Sequence, residues 1–252
     1  MGDLYTKRQA KVGSVRRGLS PNIFSQAPIT EINNNGLSEG FGIIDDFLSF
    51  NDESPWISTA ATAGTATLAD AKGGVLELDS ASGTTGQGIQ IQYGGATGAA
   101  SFVPNADANV YFEARIKVTD ISTGIMEVFV GLSEVDTSII NSGANSSANH
   151  IGFELVDDNL EIDFHSESGG TRSSSANVAS IADGTYIKLG FLVEGTTKVT
   201  PYVNGVAKTA ISANIPTVAL TPSLVCQSGG SSIDPIMSAD WVACYQVEQI
   251  AN

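Results

Sequence analysis

The residues of this chain with the most chemical potential fall in one short run, Glu161-Ile162-Asp163-Phe164-His165-Ser166-Glu167. Carboxyl groups at alternating positions share one face of a strand, and glycosidic-bond hydrolysis uses such groups in pairs, one as proton donor and one as nucleophile or base. Retaining hydrolysis needs the two carboxyls about 5–5.5 Å apart. Glu161 and Glu167 are six positions apart, roughly 20 Å along a strand at ~3.3 Å per residue. His165 stands where a second glutamate would be within reach. The run therefore reads as a polar, solvent-facing strand, and the chain is expected not to be an enzyme.

Other chemistries find less support. A Ser-His-Asp or Cys-His site needs a nucleophile beside a base, and the two histidines, His150 and His165, lie in no nucleophile-elbow context. His and Cys have no metal-ligand spacing, so no catalytic residue, metal or cofactor is expected. Asp45-Asp46 and Asp157-Asp158-Asn159 offer the oxygen ligands that calcium takes. Turn chemistry accounts for the second cluster equally well, since Asp and Asn bond their own backbone, and the question stays open here. Cys226 and Cys244 sit in apolar strand text, SLVCQS and WVACYQ, and read as buried free thiols suited to a reducing cytoplasm. Trp56 and Trp241 could form a sugar-stacking platform, but ADWVACY reads as core.

The elements that must position these residues follow from composition and pattern. The 252 residues carry 12 Lys+Arg against 27 Asp+Glu, a net charge of −15, with 42% hydrophobic residues and 27 glycines. No apolar run is long enough for a transmembrane helix, and no heptad or collagen period is present. Charge is uneven. Residues 1–17 hold Lys7, Arg8, Lys11, Arg16 and Arg17 against Asp3 alone, a net +4, which leaves the remainder at −19. So acidic a body argues against a nucleic-acid surface.

Residues 18–40 are polar, with Pro21, Pro28 and Asn33-Asn34-Asn35-Gly36, and show neither helical nor strand period. The reading is an extended arm over 1–40 and a single domain over 41–252. Such an arm cannot bury enough of itself to offset its own ordering, so a partner chain is expected to hold it. Its candidate contacts are the cations Lys7, Arg8, Lys11, Arg16 and Arg17 and the apolar groups Tyr5, Ile23, Phe24 and Ile29. Cations without interleaved aromatics are a weak nucleic-acid signature, so the partner is read as protein.

From about Phe41 the pattern is period two. Val110, Phe112, Ala114, Ile116 and Val118 alternate with Glu113, Arg115 and Lys117. Met126, Val128, Val130 and Leu132 repeat this, as do Leu160, Ile162 and Phe164, then Ile187, Leu189, Phe191 and Val193. One buried and one wet face is the mark of antiparallel sheets. Gly169-Gly170, Asp183-Gly184 and Asn204-Gly205 punctuate them, the last being a strong hairpin signal. About a dozen short strands predict an all-β, two-sheet antiparallel jelly-roll sandwich. Val110, Phe112, Ile116, Ile187, Leu189, Phe191 and Trp241 are expected to share its core.

The phrases DDFLSF, GGVLELDSASGTTGQGIQIQY, VYFEARIKV, VFVGLSEVDTSII, IGFELVDDNLEIDFHSE, YIKLGFLVEGTTKVTPYVNG and SADWVACYQV, in that order, resemble the concanavalin-like (laminin-G-type) jelly rolls of tailed-bacteriophage structural proteins. The resemblance spans roughly residues 41–250 and rests most on VGLSE, the YVNG hairpin and the terminal DW strand. It implies a virion protein, made in the host bacterial cytoplasm, that decorates and cements the capsid surface. Its partners would be the major capsid protein, held through the arm, and further copies of itself, a trimer being the expected oligomer; neither a membrane nor nucleic acid is expected. The alternatives are a carbohydrate-binding module of a phage tail or fibre and, third, a jelly-roll glycanase, since the Glu161–Glu167 run resembles the catalytic strand of jelly-roll glucanases.

Overall fold

A computed structural model describes residues 18–27, 29, 40–52, 54–81, 85–94, 101–121, 126–141, 144–145, 147–155, 160–230 and 234–248. One helical turn, α1 (Pro21–Phe24), precedes the strands. In chain order these are β1 (Gly40–Asp45), β2 (Trp56–Ala61), β3 (Thr65–Leu68), β4 (Leu76–Asp79), β5 (Gln87–Tyr93), β6 (Ala108–Thr119), β7 (Met126–Ser133), β8 (Ile140–Asn141) and β9 (Ala144–Asn145). They continue with β10 (His150–Leu155), β11 (Glu161–Ser168), β12 (Thr171–Ser180), β13 (Ile187–Glu194), β14 (Lys198–Val203), β15 (Val206–Ala207), β16 (Thr221–Ser228) and β17 (Ile236–Glu248).

Two antiparallel sheets form the predicted sandwich. The first has the order β15-β14-β13-β6-β17-β4-β3, with β1 also paired to β17, and the second has β12-β11-β10-β7-β16-β5-β2. The period-two apolar sets of β6, β7, β10, β11 and β13 all enter one core, because alternation sends every second side chain to the same face. Phe112, Phe153, Phe164 and Phe191 fill its centre, with ring centroids 4.8–6.5 Å apart. The β14–β15 hairpin turns at Asn204 and Gly205, whose φ values of 51° and 78° explain the Asn-Gly pair.

Trp241 is a correction. It does not share the core of Val110 and Phe191 but lies on the opposite face of the first sheet, with Tyr111, Ala243 and Tyr245. The register of β17 on β6 shifts between Ala239 and Trp241, and one extra residue inverts which side chains point inward. Met237 and Ala239 face the core before the bulge, Val242 and Cys244 after it.

That outer face is covered by the chain itself. Residues 18–27 and Ile29 lie on it, with Ile23 1% and Phe24 6% exposed against Tyr111, Trp241 and Tyr245. The Phe24 ring stacks on Tyr111 at 6.1 Å and meets Tyr245 edge-on at 6.2 Å. A period search misses this segment because one helical turn and a few irregular residues carry no repeat.

Candidate functional site

Titratable side chains gather on the outer face of the second sheet. Alternation in β7, β10 and β11 sends Met126, Val128, Ile151, Phe153, Ile162 and Phe164 to the core, so Glu127, His150, Glu154, Asp163, His165 and Glu167 take the opposite face. Register then makes them neighbours: His150 stands across from Glu167, Gly152 from His165 and Glu154 from Asp163. Glu167 in turn stands across from Arg172 on β12.

Arg172 ties the group together. Its Nη1 donates to Glu154 Oε2 at 3.0 Å and its Nε to Glu167 Oε2 at 2.7 Å. His165 Nε2 lies 3.4 Å from Glu154 Oε2, and His150 Nε2 lies 3.9 Å from Glu167 Oε2. Ser174 Oγ meets His165 Nδ1 at 2.8 Å, and the Ser147 carbonyl accepts from His150 Nδ1 at 3.0 Å. All four acidic and imidazole groups in these contacts, and Glu127 with them, are nearly or fully buried.

Burial sets their charge states. It lowers both imidazoles to about 4, with the Arg172 charge working in the same direction, so both rings are neutral near pH 7. Burial raises the Glu127 carboxyl to about 7, and the charge of Glu154 pushes it further the same way. The face thus holds a carboxyl that keeps its proton close to neutrality beside a carboxylate held by a guanidinium. A carboxyl that keeps its proton close to neutrality is suited to donate it as a general acid.

The other half of this face is filled by the chain. Gln92 Nε2 donates to the Glu134 carbonyl at 2.9 Å, and its Oε1 accepts from Asp136 N at 3.0 Å. Gln90 Oε1 accepts from Ile139 N at 2.9 Å, and Ile139 packs on Phe129 and Val225.

The residues expected from sequence fall as follows. Glu161 and Glu167 are not brought together: Ser180 Oγ donates to Glu161 Oε1 at 2.7 Å at one end of β11, while Glu167 meets Arg172 at the other. Asp45 does not stand free for calcium, since its two oxygens accept from Phe47 N and Trp56 Nε1, each at 2.8 Å. Asp157 and Asp158 lie outside the described residues, as do Tyr5, Lys7, Arg8, Lys11, Arg16 and Arg17. Ile23, Phe24 and Ile29 are described, and they contact the chain's own sheet. Cys226 and Cys244 are buried and free, and burial raises the Cys226 thiol to about 12.

No family model matches this chain, and no curated protein sequence does. Solved structures do resemble it. A Bacteroides ovatus glycoside hydrolase family 16 protein of mixed-linkage glucan utilisation is 16% identical with a TM-score of 0.55, over 80% of this chain and 99% of that one. The Bacillus licheniformis β-glucanase is 13% identical with a TM-score of 0.53, over 80% and 96%. Peanut lectin is 14% identical with a TM-score of 0.54, over 85% and 100%. The fold is therefore the concanavalin-like jelly roll that glycoside hydrolases and lectins share.

The expectation that the chain is not an enzyme is overturned by this result. Glycoside hydrolases recur among the similar structures, so the architecture is one that carries hydrolysis in other proteins. The expectation weighs carboxyls along one strand only, whereas Glu127, whose carboxyl burial raises to about 7, and Glu154 come from two adjacent strands. The legible signal was polar residues at alternate positions of MEVFVG, HIGFEL and EIDFHSE, each facing away from an apolar set.

Proposed function

We propose that this chain is a tailed-bacteriophage virion protein that decorates and cements the capsid surface, with residues 1–17 as the part that binds the major capsid protein. The observation that carries the reading is the partition of charge, net +4 over residues 1–17 and −19 over the remainder. Docking of Leu19, Ile23 and Phe24 on the sandwich supports it, because a docked root presents the basic segment from a fixed point. The resemblance of the strand phrases to phage jelly rolls supports it too. Copies assembling as a trimer would bind with avidity. The test is co-sedimentation of full-length and 18–252 protein with undecorated capsids at low and high salt. The reading expects binding by the full-length chain only, weakened as salt rises. Equal binding by both forms would reject it.

A second reading is recognition or cleavage of a glycan at the second sheet's outer face, as in a tail- or fibre-borne module. The pair of Glu127 and Glu154 favours it, as does the fold shared with glucanases and a lectin. A glycan array followed by digestion of any bound polymer tests it. Turnover lost in both Glu127→Gln and Glu154→Gln supports this reading, and the absence of binding to any glycan rejects it.

A further inference from the structure

A pocket of about 290 Å³ opens on the first sheet's outer side, lined by Gly18, Leu19, Ile44, Asp46 and Trp241. The strand pairing creates it. Along one edge of β17, β4 pairs as far as Ala239, and β1 begins at Val242. Asp240 and Trp241 thus fall in a gap between two partner strands, and Gly18 and Leu19 close the gap from above.

The pocket's chemistry is unusual for a packing defect. Trp241 is 4% exposed, yet its Nε1–H is buried with no hydrogen-bond partner. Buried indole N–H groups normally find an acceptor. Trp56 does so, donating to Asp45 Oδ2 at 2.8 Å. Asp46 adds an exposed carboxylate, while Ile44, 52% exposed, and Leu19 add apolar surface.

We propose that this pocket binds one ring of a neutral saccharide. A hydroxyl can accept from an indole N–H while another donates to a carboxylate, and the C–H face of a sugar ring suits Leu19, Ile44 and the Trp241 edge. An anion meets repulsion from Asp46 and from a body of net charge −19. An ammonium group satisfies Asp46 but cannot accept from Trp241. The volume lies at the small end of ligand sites, about 300–1,000 Å³, which fits a single ring better than a chain. The site is separate from the Glu127–Glu154 face and depends on neither functional reading.

The test uses the two indole N–H resonances of the full-length ¹⁵N-labelled protein, assigned with Trp56→Phe and Trp241→Phe. Glucose, galactose, mannose and N-acetylglucosamine are titrated singly, with inorganic phosphate and ethanolamine as separate arms. The expected result is a saturable shift of the Trp241 resonance with at least one sugar, an unmoved Trp56 resonance, and about tenfold weaker binding in Asp46→Asn. Asp46 is exposed, so that variant keeps the test valid if Trp241→Phe fails to fold. No saturable shift with any sugar, saturation by phosphate or ethanolamine instead, or undiminished binding in Asp46→Asn overturns the proposal.

Discussion

Lys188 Nζ lies 3.8 Å from Glu113 Oε1 on the outer face of the first sheet, with side chains 2% and 0% exposed. Burial alone would discharge both groups, raising the carboxyl and lowering the ammonium. Their hydrogen bonds are completed by the docked N-terminal segment. Ser20 donates to Glu113 from N at 2.8 Å and from Oγ at 2.5 Å, and Lys188 Nζ donates to Ser20 Oγ at 2.6 Å and to the Gly18 carbonyl at 3.0 Å. Segment and ion pair thus hold one another in place.

Breaking one partner should cost more than removing both. Glu113→Gln leaves a buried ammonium unpaired, and loss of one member of a buried pair costs about 3–5 kcal/mol. The double change Glu113→Gln with Lys188→Met should recover much of this. Urea denaturation of the single and double variants checks it; additive losses would show that the two groups do not depend on each other.

Truncation should divide the N-terminal region in two. Removing residues 1–17 should leave stability nearly unchanged, because it keeps Gly18, Ser20, Ile23 and Phe24, which supply the hydrogen bonds to the ion pair and the apolar contacts described above. Removing residues 1–29 uncovers Ile23 and Phe24 contacts worth about 1.5–3 kcal/mol each and strips Ser20 from Glu113. Thermal unfolding of the two truncations provides the measurement. Equal melting temperatures would mean that the segment's docking contributes nothing.

Gly190 is required where the segment crosses β13. A Cβ there would lie 2.6 Å from Ile23 Cδ1 and 2.7 Å from the Phe112 carbonyl oxygen. The first contact can yield, but the second is backbone. Gly190→Ala should cost about 1–3 kcal/mol and loosen the segment. Faster chymotryptic cleavage after Phe24 in the variant is the expected readout, and unchanged cleavage would count against close docking.

The sandwich was legible because its signal is local. Val110 to Val118 and Ile187 to Val193 alternate without interruption, and Asn204-Gly205 names its own turn. Trp241 was misplaced because a bulge at Asp240 leaves no mark in the text and reverses every face beyond it. The carboxyl–imidazole cluster was hidden for a different reason. Glu127, Glu154 and Arg172 are far apart in sequence and meet only through the register of four strands. Ile23 and Phe24 stand out in the sequence as apolar groups in a polar segment and read as anchors on a partner chain, but sequence cannot say that they pack with the chain's own Tyr111 and Tyr245.

The cluster should write its charge states into the pH dependence of stability. His150 and His165 titrate near 4 in the fold and 6.5 unfolded, so the unfolded chain binds more protons between those values. Their contribution is present above pH 6.5 and is lost as pH falls towards 4. Glu127 acts in the opposite sense. Its folded value of about 7 lies above the unfolded 4.5, so the folded chain binds the extra proton, and its contribution is lost as pH rises from 4.5 to 7. Across pH 4.5–6.5 two histidines oppose one glutamate, and these three groups together make stability climb with pH. Glu127→Gln removes the opposing group, and every other titration cancels in the comparison. The variant's stability should therefore climb more steeply between pH 4.5 and 6.5 by about one proton's worth of slope, and the wild type should lose ground relative to it up to pH 7. Urea midpoints of both proteins at half-unit intervals from pH 4 to 8 measure this. Parallel profiles would show that Glu127 ionises in the fold as it does in water, and would remove the electrostatic basis for pairing it with Glu154.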